Sequence, residues 1–111
     1  MDSTHAVTAL GALAQESRLE VFRLLIRRGP GGIPAGEIAR SLGVPHNTMS
    51  TQLAILARAG LVTSRREGRS IIYGADVQGT RELLSFLVED CCRGSRDVCE
   101  PLIASALAEC C

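Results

Sequence analysis

The sequence contains no lysine, and no cysteine precedes residue 91. All twelve basic side chains of the 111 residues are arginine, and twelve acidic side chains bring the formal net charge to zero. Taken whole, this balance argues against a strongly basic nucleic-acid binder of the histone kind. The total conceals a division, however, because residues 1–75 have a net charge of +4 and residues 76–111 a net charge of −4. The chain therefore has a basic part and an acidic part.

Long apolar runs and a secretory signal are also missing. No uninterrupted apolar stretch approaches the roughly 20 residues that a membrane span requires. The start of the chain has no basic segment followed by an apolar one, so we expect a cytoplasmic protein with no membrane partner. The length predicts a single domain over residues 1–111, and so short a chain would gain from a partner subunit that helps to complete its core.

Apolar residues recur at helical spacing in the first 60 residues. A loop is expected at the Gly-Pro-Gly-Gly run of residues 29–32, which cannot continue a helix. Pro34 is suited to the first position of the next helix, and Gly43 to its end. A short helix, a tight turn and a second helix make residues 34–60 a helix-turn-helix candidate. The predicted helices cover residues 4–13, 16–28, 34–42 and 45–59.

The pattern then changes to strands and returns to helices. Residues 61–75 hold two runs of strand-forming residues around a charged tip at Glu67 and Gly68, which predicts a β-hairpin. Asp76 can cap a helix over residues 76–93 that is apolar on more than one side and needs burial on two sides. A last short helix is expected to start at Pro101. The fold class is therefore α+β.

The second helix of the helix-turn-helix has small hydrogen-bonding side chains opposite its apolar stripe. Such side chains can bind base edges and phosphates in a major groove, although a helix face like this one, taken alone, is usually just solvated. The hairpin favours DNA binding over a merely solvated face, because its arginines would lie beside the phosphate backbone of double-stranded DNA. Gln52 lies at the edge of the apolar stripe and is not counted as a base reader. The candidate DNA-binding residues are His46, Asn47, Ser50, Thr51, Arg58, Arg65, Arg66 and Arg69.

Four segments together closely resemble the arsenic-repressor (ArsR-type) family of winged-helix metalloregulators: GEIARSLGV at 36–44, TMSTQLAIL at 48–56, AGLV at 59–62 and RREGR at 65–69. The resemblance covers nearly the whole chain. It implies a winged helix-turn-helix fold with residues 61–75 as the wing, and a homodimer assembled through the first and last long helices. It further implies a repressor, not an enzyme, that occupies operator DNA until a metal or metalloid releases it. The family's base-contacting positions fall on His46, Asn47, Ser50 and Thr51.

All five cysteines lie in the tail over residues 91–111, which predicts a sensing segment. In a reducing compartment, clustered thiols favour metal binding or redox chemistry over disulfides. Cys91, Cys92 and Cys99 supply three soft sulfur donors, which suit arsenite or antimonite, As(III) or Sb(III), as effector, with no organic cofactor. The resemblance points the same way, since it implies that residues 76–93 are the dimerisation helix, and a similar cluster follows that helix in an arsenite-sensing subgroup.

Other uses of these cysteines stay open. Cys110 and Cys111 are an extra ligand pair, a relay, or unneeded. Either of them could also supply a fourth sulfur to a structural zinc ion, although C-x-x-C spacing is missing. The closer alternative is a thiol-based redox sensor, because adjacent reactive cysteines also oxidise.

Overall fold

The computed structural model describes residues 1–88 and 96–108, and for residues 96–99, 107 and 108 it describes the backbone alone. Within these residues, the fold consists of helices and one small sheet. The helices are α1 (Ser3–Leu13), α2 (Glu16–Arg28), α3 (Ala35–Leu42), α4 (His46–Arg58), α5 (Val77–Val88) and α6 (Arg96–Ala108). The strands are β1 (Ile33–Pro34), β2 (Val62–Glu67) and β3 (Ser70–Ala75).

Local chemistry explains where these helices begin and end. Asp2 accepts a hydrogen bond from the His5 N–H at the start of α1, and Gln15 does the same for the Arg18 N–H at the start of α2. Such caps satisfy amide groups that have no partner inside the helix. Helix α3 ends at Gly43, whose left-handed conformation (φ 65°) is one that glycine adopts without strain. The turn to α4 is therefore short and well defined.

The sheet is antiparallel with strand order β1-β3-β2. In the hairpin, Val62 pairs with Ala75 and Glu67 with Ser70, so Gly68 and Arg69 form the tip. Strand β1 adds only two residues, pairing Ile33 with Tyr73. This short strand holds the start of α3 against the wing.

The core lies where α1, α2, α3 and α4 meet. Met49, Leu53 and Leu56 of α4 are each completely buried, as the apolar stripe of this helix predicts. They pack with Val21 and Leu25 of α2 in one cluster that also receives residues from α1, α3, the sheet and α5. The burial of this stripe fixes the rotation of α4 about its own axis.

The predicted α+β winged helix-turn-helix is confirmed, with three corrections. Strand β1 was not predicted, and Pro34 belongs to it and caps α3 instead of occupying the first helical position. Helix α6 begins at Arg96 and contains Pro101, so a start at Pro101 is wrong. The hairpin tip is Gly68-Arg69, one residue later than expected. The last part of the predicted helix 76–93 lies outside the described residues.

Arg18 connects three helices. Its Nε donates to the Ala12 carbonyl at the end of α1 (2.7 Å), and its Nη1 donates to Oε1 of Gln52 on α4 (3.0 Å). Both bonds are partly buried. Charged donors form the stronger kind of hydrogen bond, and the Ala12 carbonyl belongs to the last turn of a helix, where carbonyls lack helical partners.

We expect Arg18→Ala to lower the free energy of unfolding by about 1–3 kcal/mol, because it leaves two partly buried acceptors unpaired. Arg18→Lys should restore little, since one ammonium group cannot reproduce the fork of the guanidinium. Arg23→Ala, an exposed arginine of the same helix, is the control and should change stability by less than about 0.5 kcal/mol. Urea denaturation measures all three. Equal losses for Arg18→Ala and Arg23→Ala would rule out the connecting role.

Candidate nucleic-acid interface

The exposed face of α4 lies opposite its buried stripe. All the polar residues that the sequence singles out on this helix are exposed, together with Ala54 between them. The structure thus places them on one surface, free of the core. These residues are His46, Asn47, Ser50, Thr51 and Arg58.

Two residues of this face already have bonds within the helix. The Thr51 hydroxyl donates to the Asn47 carbonyl (3.2 Å), and Oδ1 of Asn47 accepts from the Thr48 N–H (3.0 Å). Thr51 therefore presents acceptor lone pairs outward, while the Asn47 amide keeps its N–H donors. Asn47 suits an acceptor on a base edge, such as adenine N7.

The three arginines of the wing are not equivalent. Arg65 pairs across the sheet with Ile72, and Arg66 with Ile71, so the two adjacent arginines point to opposite faces of the hairpin. Arg65 donates from Nε to Oε1 of Glu67 (3.1 Å) and from Nη2 to the Gly31 carbonyl (2.8 Å). It thereby fastens the wing to the loop between α2 and β1.

Arg66 and Arg69 are exposed and have no ion pair with any residue that the structure describes. Their guanidinium groups are available to an external anion. The sequence alone could not show which wing arginines are available, because that depends on how closely Gly31 approaches Arg65.

A cleft of about 250 Å³ separates α4 from the wing. Its walls are the first turns of α3 and α4 and the strand β3, and none of the described residues that line it carries a carboxylate. The absence of acidic side chains makes it suitable for an anion. The lining residues are Pro34, Ala35, Gly36, His46, Ser50, Arg69, Ser70, Ile71 and Tyr73.

Two features of α3 add positive character to this cleft. Pro34 provides no side-chain cap, so amide groups of the first turn lack the capping partner that α1 and α2 have. Arg40 reaches back along the helix, and its Nη1 lies 3.5 Å from where a Cβ would stand on Gly36. The one acidic residue of that first turn, Glu37, forms an ion pair with Arg28 (3.4 Å). Helix N-termini of this kind favour phosphate groups.

Arg40, Ser70 and Tyr73 were not among the candidate residues predicted from the sequence. Ser70 and Tyr73 line the cleft, and Arg40 lies beside Gly36 in its wall. Arg40 lies one helical turn after Gly36, and that spacing was visible in the sequence. Tyr73 could not be placed at the cleft from the sequence, because its position depends on the pairing of β3 with the two-residue strand β1. Ser70 could not be placed either, because its position depends on the hairpin register, in which it pairs with Glu67.

The predicted metalloid ligands lie largely outside the residues that the structure describes. Cys91, Cys92, Cys110 and Cys111 lie outside the described residues, and Cys99 lies in α6 with only its backbone described. Among the residues whose side chains are described, no three His, Cys, Asp or Glu come together as metal ligands. None of the helices in residues 1–88 and 96–108 has the length and apolarity needed to span a membrane.

Comparison with known proteins connects this geometry to a family. A helix-turn-helix domain model matches residues 13–65. The transcriptional activator HlyU of Vibrio cholerae is 33% identical over 78% of this chain and 80% of its own length. The transcriptional regulator NmtR of Mycobacterium tuberculosis is 38% identical over 64% of this chain, and the match spans only 57% of NmtR.

Solved structures agree with these relatives. A homodimeric winged helix-turn-helix DNA-binding domain from Mycobacterium bovis, described as a possible ArsR-family regulator, is 30% identical, covers 78% of this chain and 80% of its own, and has a TM-score of 0.64. A possible transcriptional regulator for arsenical resistance is 28% identical and has a TM-score of 0.64. The match covers 73% of this chain and 81% of that protein. With HlyU matched over four-fifths of its length, the chain belongs to the winged helix-turn-helix transcriptional regulators of the ArsR/HlyU type.

Proposed function

We propose that this protein is a dimeric repressor that binds operator DNA through α4 and the wing and is released by arsenite or antimonite. The observation that supports DNA binding most directly is the cleft between the polar face of α4 and Arg69 of the wing, whose described lining residues include no carboxylate. Helix α4 would enter the major groove, where Asn47 and Ser50 reach base edges. Arg66 and Arg69 would bind phosphates of the DNA backbone beside that groove.

Exposed apolar side chains support the homodimer. On α1, Val7 is 68% exposed, and on α5 Leu84 is 58% and Leu87 47% exposed. Leucines so exposed on a long helix are typical of a surface that another subunit covers. Two copies of α4 on a symmetric dimer would read two half-sites about one helical turn of DNA apart.

Three thiols support the choice of effector. Arsenite binds three sulfurs in a pyramid, and each exchange replaces an As–O bond by an As–S bond and releases one water. Pro101 lies inside α6 and cannot donate to the Asp97 carbonyl, so the turn that contains Cys99 is one hydrogen bond short. Such a turn is easier to reshape around a ligand that also binds Cys91 and Cys92. The similar structure described as a possible regulator for arsenical resistance favours the same effector.

Release of the DNA requires only a modest coupling between metalloid binding and operator binding. If bound metalloid reshapes the segment after α5, the two recognition helices change their relative position. A coupling free energy of about 1–3 kcal/mol would reduce operator affinity by a factor of about 5 to 150.

The two kinds of DNA contact have separable signatures. Asn47→Ala should cost about 1–3 kcal/mol on the operator and little on unrelated DNA, because it removes a base contact. Arg69→Ala should weaken binding to all sequences and lower the slope of log K against log salt by about 1. Fluorescence anisotropy with operator and scrambled duplexes, at several salt concentrations, measures both.

Arg65→Ala is the matched control in the wing. Because Arg65 is committed to Glu67 and Gly31, its loss should lower thermal stability and change the salt slope less than the loss of Arg69. Identical salt slopes for Arg65→Ala and Arg69→Ala would contradict the assignment of Arg69 to a phosphate.

The effector is tested by operator release with reduced protein and arsenite. Cys91→Ser, Cys92→Ser and Cys99→Ser should each bind the operator like the unaltered protein and lose the 5- to 150-fold release, because two sulfurs hold arsenite less tightly than three. Cys110→Ser and Cys111→Ser, tested in parallel, establish whether these residues are ligands. Release that survives in all three single variants would refute the site. A peroxide arm without arsenite tests the redox alternative.

A further inference from the structure

The first turn of α5 lies in direct contact with the end of the recognition helix. A Cβ built on Gly79 would overlap the carbonyl oxygen of Gly60 and lie 3.1 Å from its carbonyl carbon. No side chain fits there, and only glycine allows the two backbones to approach so closely. The contact joins the element proposed for dimerisation to the element proposed for reading DNA.

Gly60 is held firmly to α4. Its N–H donates to the Ala57 carbonyl (3.1 Å), and the next N–H, of Leu61, donates to Leu56 (3.1 Å). Gly60 itself has a φ of 79°, which favours glycine. Its other side faces α1, since a Cβ on Gly60 would lie 3.3 Å from Nε2 of His5. The Gly60 carbonyl therefore moves with the last turn of α4.

A second set of bonds fixes α5 at the same place. The Asp76 N–H donates to the Leu61 carbonyl (2.9 Å), and Oδ1 of Asp76 accepts from the Gly79 N–H (2.9 Å). One turn later, Leu83 is buried in the core. The start of α5 thus has little freedom to slide or rotate against the end of α4.

We propose that Gly79 is a positioning residue for DNA binding, because its contact with Gly60 sets the separation and angle between the two recognition helices of the dimer. This inference rests on the proposed function. If α5 lies at the two-fold axis, any displacement of α4 relative to α5 occurs twice, in opposite directions. Two half-sites at a fixed spacing would then no longer match both helices at once.

The test is Gly79→Ala, with Gln78→Ala as control. Both variants place alanine in the first turn of α5, but only the alanine at position 79 meets Gly60. Alanine is the better helix former, so an effect of Gly79→Ala does not come from the helix preference of α5 itself. Dimer formation is checked by sedimentation and folding by thermal unfolding.

The DNA is a palindromic duplex selected by the unaltered protein from random sequence. Binding is compared on this duplex, on versions with one base pair inserted or removed at the centre, and on a single half-site. We expect Gly79→Ala to lose about tenfold or more on the original spacing, less than about twofold on the half-site, and to prefer a changed spacing. Gln78→Ala should match the unaltered protein throughout.

Two results would overturn the proposal: a Gly79→Ala dimer with the original spacing preference, or one that loses affinity equally on every duplex, since a merely weakened fold has no reason to distinguish spacings. If Gly79→Ala does not fold, Asp76→Ala decides, because it removes the cap of α5 without adding an atom. It should weaken discrimination between spacings, and an unchanged spacing profile would refute the inference. Failure of the unaltered protein to bind any duplex would instead refute the proposed function.

Discussion

The structure depends on the burial of one apolar stripe on α4. Met49, Leu53 and Leu56 are fully excluded from water, and burying side chains of this size stabilises the fold by roughly 1.5–3 kcal/mol each. A helix held by three such residues cannot rotate without exposing them. The polar side chains on the opposite face are therefore presented to solvent in a fixed direction. The same packing that stabilises the domain also aligns the surface proposed to read DNA.

Most of the architecture could be predicted from periodicity and from glycine and proline positions. The helices of the first 60 residues and the hairpin give strong local signals, such as Gly43 after the stripe of α3. Strand β1 could not be predicted, because two residues are too few for a pattern and Ile33 is a strand residue only through its pairing with Tyr73. Tyr73 also lines the cleft, so its place there was beyond reach of the sequence.

The distribution of charge along the sequence indicates the proposed DNA-binding part of the chain, and the structure shows which of its arginines are available. The excess of positive charge in residues 1–75 marks the part of the chain with the proposed DNA surface, but not all of its arginines are available to an anion. Arg18 serves the helix packing, Arg28 pairs with Glu37, and Arg65 fastens the wing. Arg40, Arg66 and Arg69 have no such commitment among the described residues. Counting arginines therefore overstates the charge that the surface offers to DNA.

The sheet also has consequences for how the protein behaves at high concentration. The edge of a sheet can pair with a strand of another molecule, which is a route to aggregation. One edge, β1, is only two residues long and includes Pro34, which has no N–H to donate. The other edge, β2, has Arg65, Arg66 and Glu67, whose charges disfavour a second strand alongside. The protein can thus expose a hairpin for a partner such as DNA while resisting fibre-like growth through the same hairpin.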